Sequence, residues 1–174
     1  MRRGFLIAVA SVAFFSFPAA QGAEKSFSEI HAEKNATCTA DRCPVGSQVI
    51  VSIDPQDILF GCDTQAKTAY TNTVAGMVGF IYQSTGKLPN ISPETGEPEV
   101  TGQSKVFLDT LRKEAGVRTL DEAAKSCLTE EDLNKKKFTI LNIKHESDYA
   151  MLALNDNQLW LPLTTIKPVT KGKK

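Results

Sequence analysis

The side chains best suited to chemistry in this chain are its cysteines and histidines. The sequence contains four cysteines and two histidines, namely Cys38, Cys43, Cys62, Cys127, His31 and His145. Thiolates and imidazoles together bind zinc, and a thiolate beside an imidazole can act as a nucleophile. A zinc site made of His31 and the first three cysteines is one interpretation, but its spacing fits no standard zinc module. The four residues between Cys38 and Cys43 also differ from the two-residue spacer of thiol oxidoreductases.

The beginning of the chain predicts its compartment. Two arginines precede an apolar run over residues 5–15, and small residues follow at positions 20 and 22. This pattern is typical of a secretory signal peptide, and the run is about half of the roughly 20 apolar residues that a membrane span needs. We expect cleavage after Gly22, with cleavage after Ala23 or a retained segment as the alternatives. The mature protein is then periplasmic or secreted and has no membrane span.

Export has a consequence for the cysteines, because exported chains normally oxidise them in pairs. Four cysteines allow three pairings. Cys38 and Cys43 enclose a short polar loop that closes easily, so the preferred pairing is Cys38–Cys43 with Cys62–Cys127. The second bridge closes a loop of about 65 residues and is worth about 4 kcal/mol in the chain-entropy model. This pairing leaves no free thiol for catalysis.

No other group of residues predicts catalysis. His145, Ser147 and Asp148 share one short turn, where they cannot adopt the geometry of a base, a nucleophile and an orienting acid. Glu130 and Glu131 lack the apolar surroundings that general acid chemistry requires. The sequence has neither a glycine-rich phosphate loop nor a His-Glu-x-x-His zinc motif. We therefore expect no enzyme activity, no metal and no cofactor.

Charge and composition exclude two further classes of protein. The chain carries 20 basic and 20 acidic residues, so its formal net charge is zero, whereas a protein that holds nucleic acid needs a strongly basic face. Its hydrophobic fraction of 41% is that of a globular domain and not of a disordered chain. We expect one α+β domain over residues 48–170, preceded by an extended arm over residues 23–47 that ends in the small disulfide loop.

Local patterns predict how this domain begins. Val49, Val51 and Ile53 share one face of a strand over residues 48–53, and residues 58–62 form a second short strand. A helical segment follows over about residues 65–128. Its first helix begins at Gln65, is capped by Asp63 or Thr64, and repeats apolar residues at helical spacing, namely Ala66, Tyr70, Val74, Met77 and Ile81.

Two features of the helical segment allow alternative interpretations. Gly76 and Gly79 weaken the first helix by up to about 1 kcal/mol each, or they mark close packing. Residues 84–102 have the proline-rich and glycine-rich composition of a loop. A loop of this length is either functional or disordered, and we favour disorder.

A second helix over residues 103–115 carries an apolar stripe of Val106, Phe107, Leu108 and Leu111. A third helix over residues 119–127 begins with a capping box of Thr119 and Glu122 and ends at Cys127.

The last third of the chain has the clearest pattern. Residues 138–143, 149–154 and 159–163 are apolar strands separated by tight turns. Three such strands form a meander. Apolar residues on both faces of the first two are expected if one face lines a barrel and the other is covered by the helices.

Residues 137–168 resemble the Src-homology-3-like barrels of bacteria. The matching stretches are Phe138-Thr-Ile-Leu, then Asp148-Tyr149-Ala-Met-Leu, then Trp160-Leu161-Pro162 followed by Ile166, although Leu159 stands where the family usually has glycine. Small exported proteins of this kind often carry a strand that ends in a cysteine, a helical segment and a second cysteine before the barrel. The resemblance implies that strands over about residues 48–62 and 137–168 form the barrel, that the helices are an insertion or cover, and that Cys62–Cys127 staples this cover to the sheet.

The same resemblance implies binding, since relatives bind cell-wall peptides or protein partners and no fold fixes a function by itself. We expect a non-catalytic exported module of the cell envelope that recognises a protein or a peptidoglycan peptide. Trp160 and Tyr149 combine an apolar body with a polar tip, as do Tyr70 and Tyr82, and are typical of binding hot spots, whereas their alternative role is packing. Asp148 and Asp156 would select a basic ligand, or are simply turn residues. The alternative function is a small inhibitor or effector of a target enzyme, with residues 84–102 as its reactive segment.

Overall fold

The computed structural model describes residues 37–53, 58–134 and 136–169. The predicted signal peptide, most of the predicted arm and the predicted turn at residues 54–57 lie outside the described residues. Within them, the chain is a mixed fold of helices and antiparallel sheet that carries two disulfides.

Seven strands form one antiparallel sheet. They are β1 (Gln48–Val51), β2 (Phe60–Cys62), β3 (Cys127–Thr129), β4 (Lys137–Lys144), β5 (Tyr149–Leu154), β6 (Asn157–Pro162) and β7 (Ile166–Pro168). The strand order is β3-β2-β6-β5-β4-β1-β7, with β3 and β7 at the two ends, so the sheet is not closed. The predicted meander is confirmed as β4-β5-β6, and β1 pairs with both β4 and β7.

Alternation along the strands separates a core face from an outer face. On β5 and β6, Ala150, Leu152, Leu159 and Leu161 are buried, and the residues between them are half-buried or exposed. The core face packs against further apolar side chains of the sheet, namely Val49, Val51, Phe138, Ile140, Leu163 and Ile166. The outer face carries Tyr149, Met151, Trp160 and Pro162 in register.

The described residues form four helices, of which the first three make a second unit beside the sheet and the fourth packs into the sheet core through Leu133. They are α1 (Gln65–Thr85), α2 (Gly102–Glu114), α3 (Leu120–Ala124) and α4 (Glu130–Leu133), and a 3-10 turn covers Leu163–Thr165. The predicted start of α1 is confirmed, because the Thr64 side chain accepts a hydrogen bond from the Lys67 amide at 3.3 Å. Tyr70 and Val74 of α1 pack against Leu108 of α2, and Ala115 and Ala123 complete this second core.

Two polar side chains of α1 attach the helix to the sheet. The amide group of Asn72 accepts from the Phe60 amide at 2.9 Å and donates to the Phe60 carbonyl oxygen at 2.8 Å, as a neighbouring strand would. The Thr68 hydroxyl accepts from the Cys62 amide and lies 3.2 Å from the carbonyl oxygen of Trp160. These contacts fix the N-terminal half of α1 over β2 and β6.

Two predictions about the shorter helices are wrong. Leu108 is buried in the predicted stripe of α2, but Val106 and Phe107 are exposed, because they lie on other sides of the helix. The third helix ends at Ala124, so that Cys127 lies in β3. Thr119 accepts from the Glu122 amide as expected, whereas the Glu122 carboxylate accepts from the Arg118 amide instead of closing the box.

Residues 86–101 are ordered, which contradicts the disorder that their composition favoured. Ile91 and Pro98 form a β-bridge, and the backbone amides of Ser92 and Glu99 donate to carbonyl oxygens across it at 2.8 and 2.9 Å. The Leu120 amide also donates to the Thr95 carbonyl oxygen at 2.8 Å. The segment is therefore a small hairpin held against the helices.

Both predicted disulfides are confirmed. Cys38 and Cys43 close a short loop, with their Cα atoms 5.5 Å apart. Cys62 and Cys127 are bonded partners directly opposite one another on β2 and β3. Because the helical segment leaves the sheet after β2 and returns at β3, this bridge joins its two ends.

Candidate ligand-binding site

Trp160 lies at the junction of the sheet and α1. It is half-buried on the outer face of β6, opposite Met151 of β5 and next to Cys62 of β2. The ammonium group of Lys144, the last residue of β4, lies 5.3 Å from the centroid of the indole ring, which is a cation–π contact. Trp160 thus lies on the outer face of the sheet and not in its core.

A cavity of about 460 Å³ opens beside the indole. Its walls come from the sheet, from the start of α1 and from the end of α2, namely Thr64, Gln65, Ala66, Ala69, Glu114, Lys144 and Trp160. Small-molecule sites commonly measure about 300–1,000 Å³. The two alanines leave room on the helix side, and the side-chain amide of Gln65 donates to the Ser147 hydroxyl at 2.6 Å, which ties the β4–β5 turn to the helix.

The walls of this cavity carry opposite charges. Lys144 stands on the sheet side and Glu114 on the helix side, and both side chains are exposed. Among the described residues, neither has an oppositely charged partner within 4.0 Å. Both charges are therefore available to a ligand.

A second, mainly apolar cavity of about 380 Å³ follows along the C-terminal half of α1. Its apolar walls include Ile53, Ile58, Leu59, Gly76, Gly79, Phe80 and Pro162. Ile58 and Phe80 are 56% and 70% exposed and line this one cavity, so together they form an exposed apolar patch. Trp160 and Pro162 alternate on the same face of β6 and line one cavity each. We call the two cavities together the α1 groove.

Gly76 and Gly79 of α1 line this groove and do not pack closely against another element. A Cβ atom placed on Gly76 or on Gly79 would meet no other atom within 4 Å. The hypothesis that these glycines mark close packing is therefore wrong. Their lack of a side chain widens the groove.

Tyr149 is the second predicted binding residue that the structure places near the groove. It lies on the outer face of β5 opposite Pro162, with Lys144 as its partner on β4 and Trp160 diagonally across. Burial raises the pKa of its hydroxyl above the usual value of 10. Trp160, Tyr149 and Lys144 thus form one surface.

The structure separates the two predicted acidic residues. Asp148 precedes Tyr149 in a turn with a φ of 55°, and its carbonyl oxygen accepts from the Leu163 amide at 2.8 Å. Asp156 is exposed in the turn at the opposite end of the β5–β6 hairpin. A strand of six residues extends about 20 Å, so the two carboxylates do not act on one small ligand.

The remaining tyrosines differ in exposure. Tyr82 is exposed on α1, whereas Tyr70 is fully buried in the helical core. The Tyr70 hydroxyl donates to Glu97 Oε1 at 2.7 Å, and Arg112 binds the other oxygen of the same carboxylate. Burial, the hydrogen bond to Glu97 and the charge of Glu97 raise the pKa of Tyr70 far above its usual value. Tyr70 therefore has a structural role.

The described residues contain no group of three or more histidine, cysteine, aspartate or glutamate side chains placed to hold a metal ion. Of the helices that the structure describes, none has the length and apolar character needed to cross a membrane. His145 is exposed in the β4–β5 turn.

Sequence reasoning missed most of the groove walls. Lys144 and Glu114 are 30 positions apart, on a strand and on a helix, and no local pattern relates them. Phe80 offered a weak signal, since it lies outside the helical repeat that runs through Tyr70, Val74 and Met77. Comparisons of the chain with protein-family models, with curated proteins and with solved structures found no match. The geometry of the α1 groove therefore carries the functional conclusion.

Proposed function

We propose that this chain is a non-catalytic binding module of the bacterial cell envelope, which holds a protein or a cell-wall peptide in the α1 groove. The observation that carries the proposal is the half-buried Trp160 on the wall of the charged cavity, beside Pro162 on the same face of β6, which lines the apolar cavity. An aromatic anchor in a concave surface, flanked by a few polar groups, is the usual composition of a binding hot spot.

The proposal includes export and a Src-homology-3-like arrangement of the sheet. Two disulfides support an oxidising compartment, to which the signal peptide predicted over residues 1–22 would deliver the chain. The pairing of β1 with both β4 and β7 supports the barrel resemblance, because it joins the first and last described strands to the meander.

Co-sedimentation with purified cell-wall sacculi at physiological salt tests the proposal. The experiment uses the exported, oxidised protein together with Trp160→Ala and the matched control Tyr82→Ala, which removes an exposed aromatic ring that lines neither cavity. We expect the parent and Tyr82→Ala to sediment with sacculi, and Trp160→Ala to stay in solution with an unchanged circular dichroism spectrum. Equal sedimentation of all three would remove Trp160 from the site. If none sediments, a peptidoglycan ligand is excluded, and a purified protein partner becomes the probe.

One observation favours the alternative function, a small inhibitor or effector of a target enzyme. The hairpin over residues 86–101 presents the exposed side chains of Leu88 and Ile91, and the buried Glu97 beside its turn anchors it to the helices. A rigid, anchored segment with exposed apolar side chains is suited to insertion into an enzyme cleft.

A point substitution separates the two functions better than deletion of the loop, which would also remove Glu97 from the helical core. We expect Leu88→Ser to abolish inhibition of a target enzyme if the loop is the reactive segment, and to leave sedimentation with sacculi unchanged if the α1 groove is the site. Trp160→Ala should leave inhibition unchanged if the loop is the reactive segment, and should abolish sedimentation with sacculi if the α1 groove is the site. The two variants thus assign the function to one surface or the other.

A further inference from the structure

We propose that the end of the α1 groove at Trp160 selects a short peptide through both of its charges, with an ammonium group directed to Glu114 and a carboxylate directed to Lys144. This inference rests on the proposed function and names the class of ligand that the site takes. The peptide backbone between the two charges would lie against the indole of Trp160.

The first argument is that these two charged groups come to one cavity only in the folded protein, where neither forms an ion pair. Glu114 is the last residue of α2 and Lys144 the last residue of β4, yet both line the cavity beside Trp160. Other charged side chains on the helices do form ion pairs, namely Lys67–Asp63, Lys105–Asp109 and Arg112–Glu97. In the described part of the chain, neither Lys144 nor Glu114 has an oppositely charged partner, and the Lys144 ammonium group lies over the indole.

The second argument is that the charge pattern excludes ligands of a single sign. An anion drawn to Lys144 is repelled by Glu114, and a cation drawn to Glu114 is repelled by Lys144. A ligand that carries both charges meets an opposite charge at each end, so it is attracted at both. The same two charges repel competing ligands of a single sign, which adds to the selectivity for a zwitterion.

The third argument concerns size. A cavity of about 460 Å³ is at the small end of the range for ligand sites. An extended dipeptide spans at most about 7 Å, since each residue contributes about 3.3–3.6 Å. The two ends of a short zwitterionic peptide can therefore lie within one cavity, whereas the termini of a long chain cannot.

The binding experiment uses the dipeptide Ala-Ala as the zwitterionic probe. N-acetyl-Ala-Ala lacks the ammonium group, and Ala-Ala amide lacks the carboxylate. The chain contains one tryptophan, so fluorescence excited selectively at the indole reports on this cavity, and titration calorimetry provides affinities that do not depend on the indole. We expect Ala-Ala to give a saturable change, and each blocked form to bind the parent about tenfold more weakly.

Matched variants assign each charge to its partner. In Glu114→Gln, Ala-Ala should bind about tenfold more weakly than in the parent, and acetylation of the peptide should cause no further loss. In Lys144→Gln, Ala-Ala should likewise bind about tenfold more weakly than in the parent, and amidation of the peptide should cause no further loss. Lys113→Gln is the control, because Lys113 neighbours Glu114 in sequence but does not line the cavity. It should bind Ala-Ala with the affinity of the parent.

Three results would overturn the inference, the third of which is failure of Ala-Ala to bind at about 10 mM. The first is equal binding of Ala-Ala and its blocked forms, and the second is parental affinity in Glu114→Gln or Lys144→Gln. If Ala-Ala fails to bind at about 10 mM but sacculi still retain the parent and not Trp160→Ala, charge selection is wrong and the binding module stands. If sacculi and purified partners also fail to bind, the proposed function is wrong as well.

Discussion

At the scale of single residues, Glu97 is the polar side chain on which the helical unit most depends. It is 6% exposed, and both of its carboxylate oxygens are bonded, one by the Tyr70 hydroxyl and one by Arg112. Arg112 also binds Asp109, which lies on the same helix. A buried carboxylate is tolerated only when it is paired in this way, so Glu97 joins the hairpin over residues 86–101 to α1 and α2.

Glu97→Gln should lower the free energy of unfolding by about 3 kcal/mol. The amide can still accept from Tyr70, but Arg112, whose side chain is 18% exposed, loses its buried charged partner and keeps only the more exposed Asp109, and breaking a buried pair costs about 3–5 kcal/mol. Urea unfolding at pH 7 measures the loss. The control is Lys105→Ala, which removes an exposed pair with Asp109 and should cost about 0.5 kcal/mol or less. Equal effects of the two variants would show that the Glu97 network contributes no more than a surface pair.

Tyr70 makes stability depend on pH in the alkaline range. Its pKa is raised in the folded protein, whereas in the unfolded chain a tyrosine titrates near pH 10. Above pH 10 the unfolded chain loses this proton and the folded protein keeps it, so the stabilisation is complete below pH 10 and declines as pH rises. The free energy of unfolding of the parent minus that of Tyr70→Phe should be constant from pH 8 to 9 and fall by about 1 kcal/mol by pH 11. A constant difference up to pH 11 would show that Tyr70 ionises normally.

At the scale of elements, the glycines of the fold divide into two kinds with opposite expected effects. A Cβ atom on Gly76 or Gly79 of α1 would enter open space, whereas a Cβ atom on Gly61 of β2 would lie 2.9 Å from Leu159 Cδ1 and 3.0 Å from Leu161 Cδ2. Gly76 and Gly79 therefore weaken α1 although no neighbouring atom requires a glycine there. At Gly61, in contrast, the core side chains leave no space for a Cβ atom.

Gly76→Ala and Gly79→Ala should each raise the free energy of unfolding by about 0.5–1 kcal/mol, because alanine loses less backbone entropy in a helix. Gly61→Ala should lower it by about 1–3 kcal/mol through overpacking. Thermal and urea unfolding of the three variants tests both directions. A loss of stability in Gly76→Ala would mean that the groove wall at this position is closed in solution.

The elements that sequence reasoning predicted well are those whose pattern is local. The start of α1, the meander β4-β5-β6 and the short Cys38–Cys43 loop depend on caps, alternation and spacing within a few residues. The predicted stripe of α2 failed because adjacent apolar residues cannot share one helix face. Leu108 and Leu111 turn toward α1, which leaves Val106 and Phe107 outside.

The elements that were predicted poorly depend on distant partners. Residues 86–101 have a loop composition, but their order comes from Glu97 binding Tyr70 and Arg112 and from the Thr95 carbonyl oxygen accepting from Leu120. The α1 groove likewise combines residues of α1, α2, β4 and β6. Periodicity shows which face of an element is apolar, but it does not show which other element meets that face.

At the scale of the whole molecule, the sheet and the helices have separate hydrophobic cores, and the backbone connects the two cores at one place. The sheet core and the helical core consist of different side chains, and the backbone passes between them only at β2 and β3. The Cys62–Cys127 disulfide joins these two strands at directly opposed residues. The bridge therefore limits how far the helical unit can separate from the sheet, and with it how far α1 can move from Trp160.

This position predicts unequal effects of the two disulfides. Replacing Cys62 and Cys127 together by alanine opens a loop of 65 residues and should cost about 4 kcal/mol, whereas the same change at Cys38 and Cys43 opens a loop of five and should cost about 2 kcal/mol. Urea unfolding followed by both circular dichroism and Trp160 fluorescence measures each loss. We also expect the two signals to coincide in the parent and to separate in the Cys62 and Cys127 variant, because the helices then unfold before the sheet. Coincident signals in that variant would mean that the Thr68 and Asn72 contacts are enough to couple the two cores.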